Sequence, residues 1–584
     1  MIKKMLWMLM TIVAFATHSI AQNEQSNRAN EAFELLQQQL LDAIWKESPT
    51  AALEVGYFKY AENMVLSPIN EEGIAKSISQ LNNWLNQLNQ TDTLLLGTKQ
   101  KTSYQLLKNS LELALWNFTA YKPYEWDASY YNIGFECDKL LNNNYAPIEK
   151  RLLYFSRYIS GADAFYQKAL LNLTRPTKEH LQLAIAQNEG TLLLFGSALN
   201  RAIRKSKLTK QEKESVRANV ENAMRAVQHY VDALDDYLAE TKHFAPCRIG
   251  KTLYEQKFQL ELNQHQSPEE IYQALPSDIR LFQSKLLLAA KDVWKKYNGK
   301  RPMPNDDASL ISNAKLLVKK QRIWSANVKD SLNKWLQQAE RFMKYKSLID
   351  FDESTSAIVI RDMPAYQTGV AFATAQLPMP YGNDKTTYFN VSLQKAQNFI
   401  LFSTNYAYYS YGLQLITLHE GVPGHCLQGE YISQHVTDKS SKLFRNTATL
   451  EGWAMYAEQM MLENGWAEGN PELNFCFLQE LLLLIGNVRL DYEIHYLQKN
   501  KQEIIDGLVK DGLFSKSEAE AQYPRAAITQ VQLSSYYVGY KSIIELRKAY
   551  KQKMGDAYNL KTFHDQFLKY GAVPVKYIRK GMLE

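Results

Sequence analysis

From Ala29 to about His243 the chain is a succession of long stretches with apolar residues at helical spacing, and runs that alternate with the period of a strand are almost absent. Ala32–Trp45, Tyr104–Thr119, Glu149–Asn172, Glu179–Ala202 and Gln211–Leu238 each read as an amphipathic helix. Burial of one stripe per helix accounts for this period without any ligand, so these stretches predict core packing and nothing more. With 584 residues, 46% of them hydrophobic and 22% charged, the chain has enough apolar surface for one large core or two fused lobes. No repeat of fixed period is present.

The helical pattern breaks at Phe244-Ala245-Pro246-Cys247-Arg248-Ile249-Gly250 and then resumes through Ala308–Tyr345. This predicts an N-terminal helical lobe over 22–245 and a second lobe over 246–584. Ser356–Arg361 and Thr387–Val391 are β-branched and aromatic, with Pro364, Pro378, Pro380 and Gly382 between them, which predicts two or three short strands.

Lys3 and Lys4 precede an apolar run from Met5 to Ala16 and the small-residue signal Ser19-Ile20-Ala21. That order is the pattern of a cleaved secretory leader over 1–21, with the mature chain beginning near Gln22 in the periplasm of a Gram-negative cell. No Cys follows the run, so no lipid attachment is expected there. The run is shorter than the ~20 residues a bilayer-spanning helix needs, and the best later candidate, Leu478–Ile485, is shorter still, so no stable membrane insertion is expected. The charge of +6 is spread over 67 basic and 61 acidic residues without a long Lys/Arg stretch, which excludes a nucleic-acid-tracking surface. Cys137, Cys247, Cys426 and Cys476 are too scattered for a disulfide scaffold, although an oxidising compartment would permit a bridge.

The chemistry concentrates in Leu415-Ile416-Thr417-Leu418-His419-Glu420-Gly421-Val422-Pro423-Gly424-His425. In HExxH, two His at i and i+4 share a helical face, bind zinc together and leave the Glu beside the water. Here the second His comes two residues later, and on a regular helix of about 100° per residue it would point about 120° away. Pro423-Gly424 predicts the local bulge or break that swings His425 back. Downstream, Glu451 opens the helix-compatible Glu451-Gly452-Trp453-Ala454 and supplies a third ligand, leaving a fourth position open as a catalytic zinc requires. Glu458, seven residues on, falls on nearly the same face, either as a rival ligand or as the partner of a metal-bound His. Asp491 and His495, at i and i+4, form a candidate pair in which the carboxylate orients the imidazole. Tyr536 and Tyr537 are candidate donors to an oxyanion.

These residues resemble those of a bacterial family catalogued as domain of unknown function 885, whose hallmark HExxPGHxxQ is matched by His419, Glu420, Pro423, Gly424, His425 and Gln428. Ser48-Pro49-Thr50-Ala51-Ala52 with Gly56-Tyr57, the Glu451 block, Phe563-His564-Asp565 and Gly571-Ala572-Val573-Pro574 extend the resemblance over essentially the whole mature chain. Cys426 stands where many members carry a further His, which favours His425 as the second ligand. The resemblance implies a mainly α, two-lobed, zincin-like fold with a deep cleft and a small sheet near the metal helix. It also implies that a substrate peptide lies beside an edge strand, for which Tyr388-Phe389-Asn390-Val391 is the candidate.

The reading is a zinc peptidase acting on short peptides, with one ion held by His419, His425 and Glu451, Glu420 as general base, and Tyr536, Tyr537 or His495 steadying the oxyanion. Two alternatives stay open: a non-catalytic periplasmic peptide- or glycan-binding protein on the same fold, and a zinc hydrolase of non-peptide amides or esters.

Overall fold

The computed structural model describes residues 2–320, 323, 325–350, 358–367, 372–384, 386–392 and 409–584, with side chains from residue 23 onward. The backbone of Ile2–Glu47 is one helix, and the side chains of the predicted leader lie outside the described set. The mainly α prediction holds, with one three-stranded sheet among the described residues.

Two of the predicted helical stretches are each divided. Glu149–Asn172 becomes Ile148–Ile159 and Ala162–Asn172, because the chain passes so close to Leu66 at Gly161 that a Cβ there would lie 1.9 Å from the Leu66 carbonyl oxygen. Glu179–Ala202 becomes Lys178–Leu192 and Ser197–Lys205, with a short 3₁₀ turn and Gly196 between them. Lys210–Glu240 starts at Thr209, whose hydroxyl accepts from the Glu212 amide while Glu212 accepts from the Thr209 amide, a reciprocal cap that fixes where the helix begins.

Burial separates the N-terminal helices from the rest. One core runs from Leu53 to Leu234, and a second, apart from Leu106, is built from residues 247 to 582. The predicted change at Phe244–Gly250 therefore falls between two cores. A third cluster joins the first helix to Leu81, Trp84 and Leu107, with Tyr381 and Leu443 packed against it.

The site is carried by the second core. Its elements are α1 (Pro268–Asn298), α2 (Ser410–Ile416), α3 (His425–His435), α4 (Thr447–Glu463), α5 (Pro471–His495), α6 (Lys516–Thr529) and α7 (Gln532–Met554). Helix α5 has 25 residues and is long and apolar enough to cross a membrane by length and composition. Two-thirds of its apolar window is buried inside the protein, where it packs against α1 and α7. The stretch Leu478–Ile485 is only its centre, and Leu473–Phe477 before it and Val488–Ile494 after it lengthen the apolar helix. Helices α4 and α7 cross at a glycine pair: a Cβ on Gly452 would lie 2.2 Å from the Gly539 carbonyl carbon, and one on Gly539 would lie 1.7 Å from the Ala448 oxygen. That backbone contact brings Glu451, next to Gly452, and Tyr536, one turn before Gly539, towards the same place.

The strands are β1 (Ile358–Asp362), β2 (Ala373–Gln376) and β3 (Thr387–Val391), in the order β1-β3-β2. Ser356 and Ala357 of the predicted first strand lie outside the described residues. β3 runs parallel to β1 and antiparallel to β2, so it is the central strand and not the edge that the resemblance implies. Its partner β2 (Ala-Thr-Ala-Gln) carries little β signature and is the third of the two or three strands expected here. Phe389 and Val391 are buried with Leu413 of α2 and Cys426 of α3, which fastens the sheet to the chemistry-bearing helices. All four cysteines are free and buried.

Candidate metal centre

The stretched motif works through a break in the helix. Thr417–Gly421 forms a π-helical turn after α2, and the chain then leaves helical geometry before α3 begins at His425. The Val422–Pro423 bond is cis. The Gly424 amide donates to the Leu418 carbonyl at 2.9 Å, and a Cβ on Gly424 would lie 1.8 Å from the His419 oxygen, so only glycine fits this reversal. The Trp453 indole donates to the Pro423 carbonyl at 3.0 Å and ties the break to α4. His419 and His425 consequently face one another, with ring centroids 4.9 Å apart and planes at 88°.

Ligand atoms of His419, His425 and Glu451 all lie within 4.8 Å of one another. Glu451 Oε2 is 3.5 Å from His419 Nε2 and 3.3 Å from His425 Nε2. A tetrahedral ion with bonds of about 2.05 Å separates its ligands by about 3.3 Å, so these distances suit zinc with one corner left for water or substrate. On the far side of the ring, His419 Nδ1 lies 2.9 Å from Glu458 Oε1. With Glu458 as the acceptor, Nδ1 carries the proton and Nε2 turns a lone pair to the centre, the usual carboxylate support of a metal-bound imidazole. Glu458 is thus the partner of His419 and not a rival to Glu451.

Four carboxyl groups converge on the two imidazoles, since Glu420 and Glu480 also act on His419. Burial raises Glu451, but the His425 and His419 rings outweigh it and hold its carboxyl down at about 2. Burial opposes the His419 cation, yet Glu451 and Glu458 raise it well above the ordinary imidazole range, so a metal ion taking the Nε2 lone pair would displace a proton from it. Burial, reinforced by Glu480, pushes Glu458 up to about 8. Glu420 is raised by burial against the pull of both imidazoles and the Ala375 backbone amide of β2, and its Oε2 meets no protein donor. An acid-rich buried cluster of this kind is relieved by a divalent cation. Replacing Glu458 by Gln is expected to weaken zinc binding about 10- to 100-fold without unfolding the chain, as measured by competition with a chromogenic chelator. Unchanged affinity would remove Glu458 from the site.

The centre opens into a cavity of about 1030 Å³ bordered by Phe372, Ala373, His419, Glu420, Arg525 and Tyr536 among others. Every described residue bordering it comes from position 280 or later, so the cavity belongs to the second core. The Tyr536 ring lies 6.3 Å from His419, nearly parallel to it, and burial followed by the Glu451 charge raises its hydroxyl.

Tyr537 and His495 do not join the centre. Tyr537 is 2% exposed, and burial together with the Asp278 charge of α1 raises its hydroxyl. A step of one residue on α7 turns it some 100° away from Tyr536. His495 is fully buried, with Nε2 2.9 Å from the Ala526 carbonyl oxygen, and burial lowers it to about 4, so it is a neutral packing group. Asp491 lies 3.8 Å from His495 but spends its oxygens elsewhere, accepting from the Tyr254 and Ser534 hydroxyls at 2.7 and 2.8 Å and from the Val531 amide at 2.9 Å. It anchors the turn between α6 and α7. Sequence reasoning missed Ala375, Glu480 and Arg525, none of which lies in a recognisable motif.

The fold has solved relatives. A candidate lipoprotein of unknown function from Shewanella oneidensis is 29% identical, with a TM-score of 0.79, over 94% of this chain and 100% of that one. A candidate lipoprotein from Colwellia psychrerythraea has the same fold at 18% identity, with a TM-score of 0.72, over 95% of this chain and 98% of that one. No curated protein matches the chain. The model of a family described as bacterial protein of unknown function (DUF885) matches residues 49–582, so both the helical core and the His-Glu-His-Glu cluster lie within it, and the chain belongs to that family.

Proposed function

We propose that the chain is a zinc-dependent hydrolase of short peptides, with His419, His425 and Glu451 holding the ion. The observation that supports this reading is the convergence of His419, His425 and Glu451, whose ligand atoms lie within 4.8 Å of one another with Glu451 Oε2 3.5 and 3.3 Å from the two Nε2 atoms, and with Glu420 beside them on the wall of a large cavity. When bound, zinc supplies Lewis acidity, polarising a carbonyl and lowering the pKa of water towards ~7. Glu420 takes the proton as water attacks the amide carbon and returns it to the leaving nitrogen, a role suited to a carboxyl whose proton affinity burial has raised. Tyr536, whose hydroxyl stays protonated, donates to the oxygen of the attacked carbonyl. Glu458 fixes the His419 ring. β2 is an edge strand that borders the cavity at Ala373, so an extended peptide would pair with it and not with β3. We also propose that the chain is exported, which the basic and apolar pattern of residues 3–21 supports.

The test is metal content by elemental mass spectrometry for the wild type, His425→Ala and Glu451→Ala. One zinc per wild-type chain, lost in both variants, is the expected result. A folded wild type that takes up no zinc when it is offered would favour the binding-protein reading instead.

A further inference from the structure

The cavity holds charge that the metal chemistry does not use. Of the cations around it, Lys315 is paired with Glu518 at 2.7 Å, and Arg280 lies exposed at the rim. Arg525, on α6, is different. It borders the cavity, its Nε is buried without a protein acceptor, and no carboxylate among the described residues lies within ion-pair distance of it. Arg525 as a whole is half-buried, and a guanidinium N–H shut off from solvent without an acceptor is unfavourable. On the neighbouring α5, Asn487 borders the same cavity, is 1% exposed, and has an Oδ1 that meets no donor. Tyr536 links this region to the metal ligands, because its hydroxyl feels both the Glu451 and the Arg525 charge. Leu286, Leu415, Leu483, Leu533 and Phe514 make much of the remaining wall apolar.

An uncommitted planar cation, an uncommitted acceptor and an apolar wall within one cavity match a ligand with a carboxylate, an amide N–H and an apolar side chain. We propose that Arg525 receives the free α-carboxylate of a peptide substrate, so that the chain removes short fragments from peptide C-termini. The carboxylate pairs with the guanidinium fork, and the Asn487 Oδ1 accepts from a substrate backbone N–H. The scissile carbonyl then lies towards Tyr536 and Glu420. Water forms the new C–O bond, the C–N bond breaks, and the proton held by Glu420 goes to the leaving amine, which departs with the C-terminal fragment. This inference rests on the hydrolase reading and narrows its substrate to peptides with an open C-terminal end.

The test uses the full-length zinc-loaded protein and three peptides identical except at the end: a free acid, a C-terminal amide, and an amide whose last residue is Glu. Wild type is expected to cleave the free acid about 100-fold better in kcat/KM than the amide, the size of effect that follows when one partner of a desolvated charge pair is removed. Arg525→Gln is expected to bring that ratio close to one, with zinc content intact, and Arg525→Lys to restore part of it. Equal cleavage of acid and amide by wild type would overturn the inference and leave the hydrolase standing. Preference for the Glu-bearing amide over the free acid would overturn it in favour of side-chain recognition. Binding of the same peptides to Glu420→Gln by calorimetry separates the two readings further. Tighter binding of the acid with no cleavage by wild type would retain carboxylate recognition and sink the hydrolase, whereas equal binding would sink the recognition.

Discussion

Glu420→Gln is expected to lose about 10³-fold or more in kcat on a short peptide while retaining one zinc per chain, since a positioned general base contributes roughly 10²- to 10⁴-fold. Gln has nearly the same shape and can still accept from the Ala375 amide, so neither the π-helical turn nor the ligand set has reason to move. It lacks a site that can take a proton from water and pass it to the leaving nitrogen. Glu420 is suited to that work because burial raises its proton affinity while both imidazoles keep it ionisable. Single-turnover kinetics together with zinc analysis reads both quantities on one sample. Activity within tenfold of wild type would remove Glu420 from the reaction; loss of zinc along with activity would make it a determinant of the site's structure.

Asp491→Ala is expected to destabilise the fold by about 4 kcal/mol, because it strands three buried donors at roughly 1–3 kcal/mol each, partly offset by relaxation of the turn. The turn needs this anchor. Gln530 and Val531 both have positive φ, 38° and 59°, which is strained for a β-branched residue, and Asp491 holds the Val531 amide in that conformation. The Tyr121 hydroxyl donates to Gln530 from the N-terminal side. Denaturant unfolding of the zinc-free protein measures the loss. A second readout comes from pH. Burial raises Asp491 from 3.8 to about 6, so the folded state binds its proton more tightly than the unfolded chain does. The stability this group contributes is fullest below about pH 4 and declines as pH rises through about 6. The advantage of wild type over Asp491→Asn should therefore shrink across that window. Unchanged stability with weakened zinc binding would restore Asp491 to the metal site.

The helical period, the break between the two cores and the meeting of His419, His425 and Glu451 are each legible in the sequence, for separate reasons. Burial writes a 3.6-residue repeat into any helix that packs, and the Phe244–Gly250 segment carries the Pro and Gly that end one. The cluster is legible because a second His displaced from i+4 has to be accompanied by a means of bending the chain, which Pro423-Gly424 provides. Contacts that depend on distant backbone were not legible. β2 has only four residues of low strand preference, so nothing in the sequence marks it as the partner that makes β3 central. His495 and Tyr537 have suitable chemistry but sit on faces of α5 and α7 that only the helix crossings decide. Arg525 stands in an ordinary helical stretch, and its significance comes from the acceptor it lacks, which no spacing records.

The crossing of α4 and α7 at Gly452 and Gly539 sets the gauge of the site by hard contact between main chains, with no rotamer available to absorb an error. Two positions that carry no chemistry thereby act as a ruler between Glu451 and Tyr536. A methyl group at either position would push the two helices apart and move Glu451 and Tyr536 together.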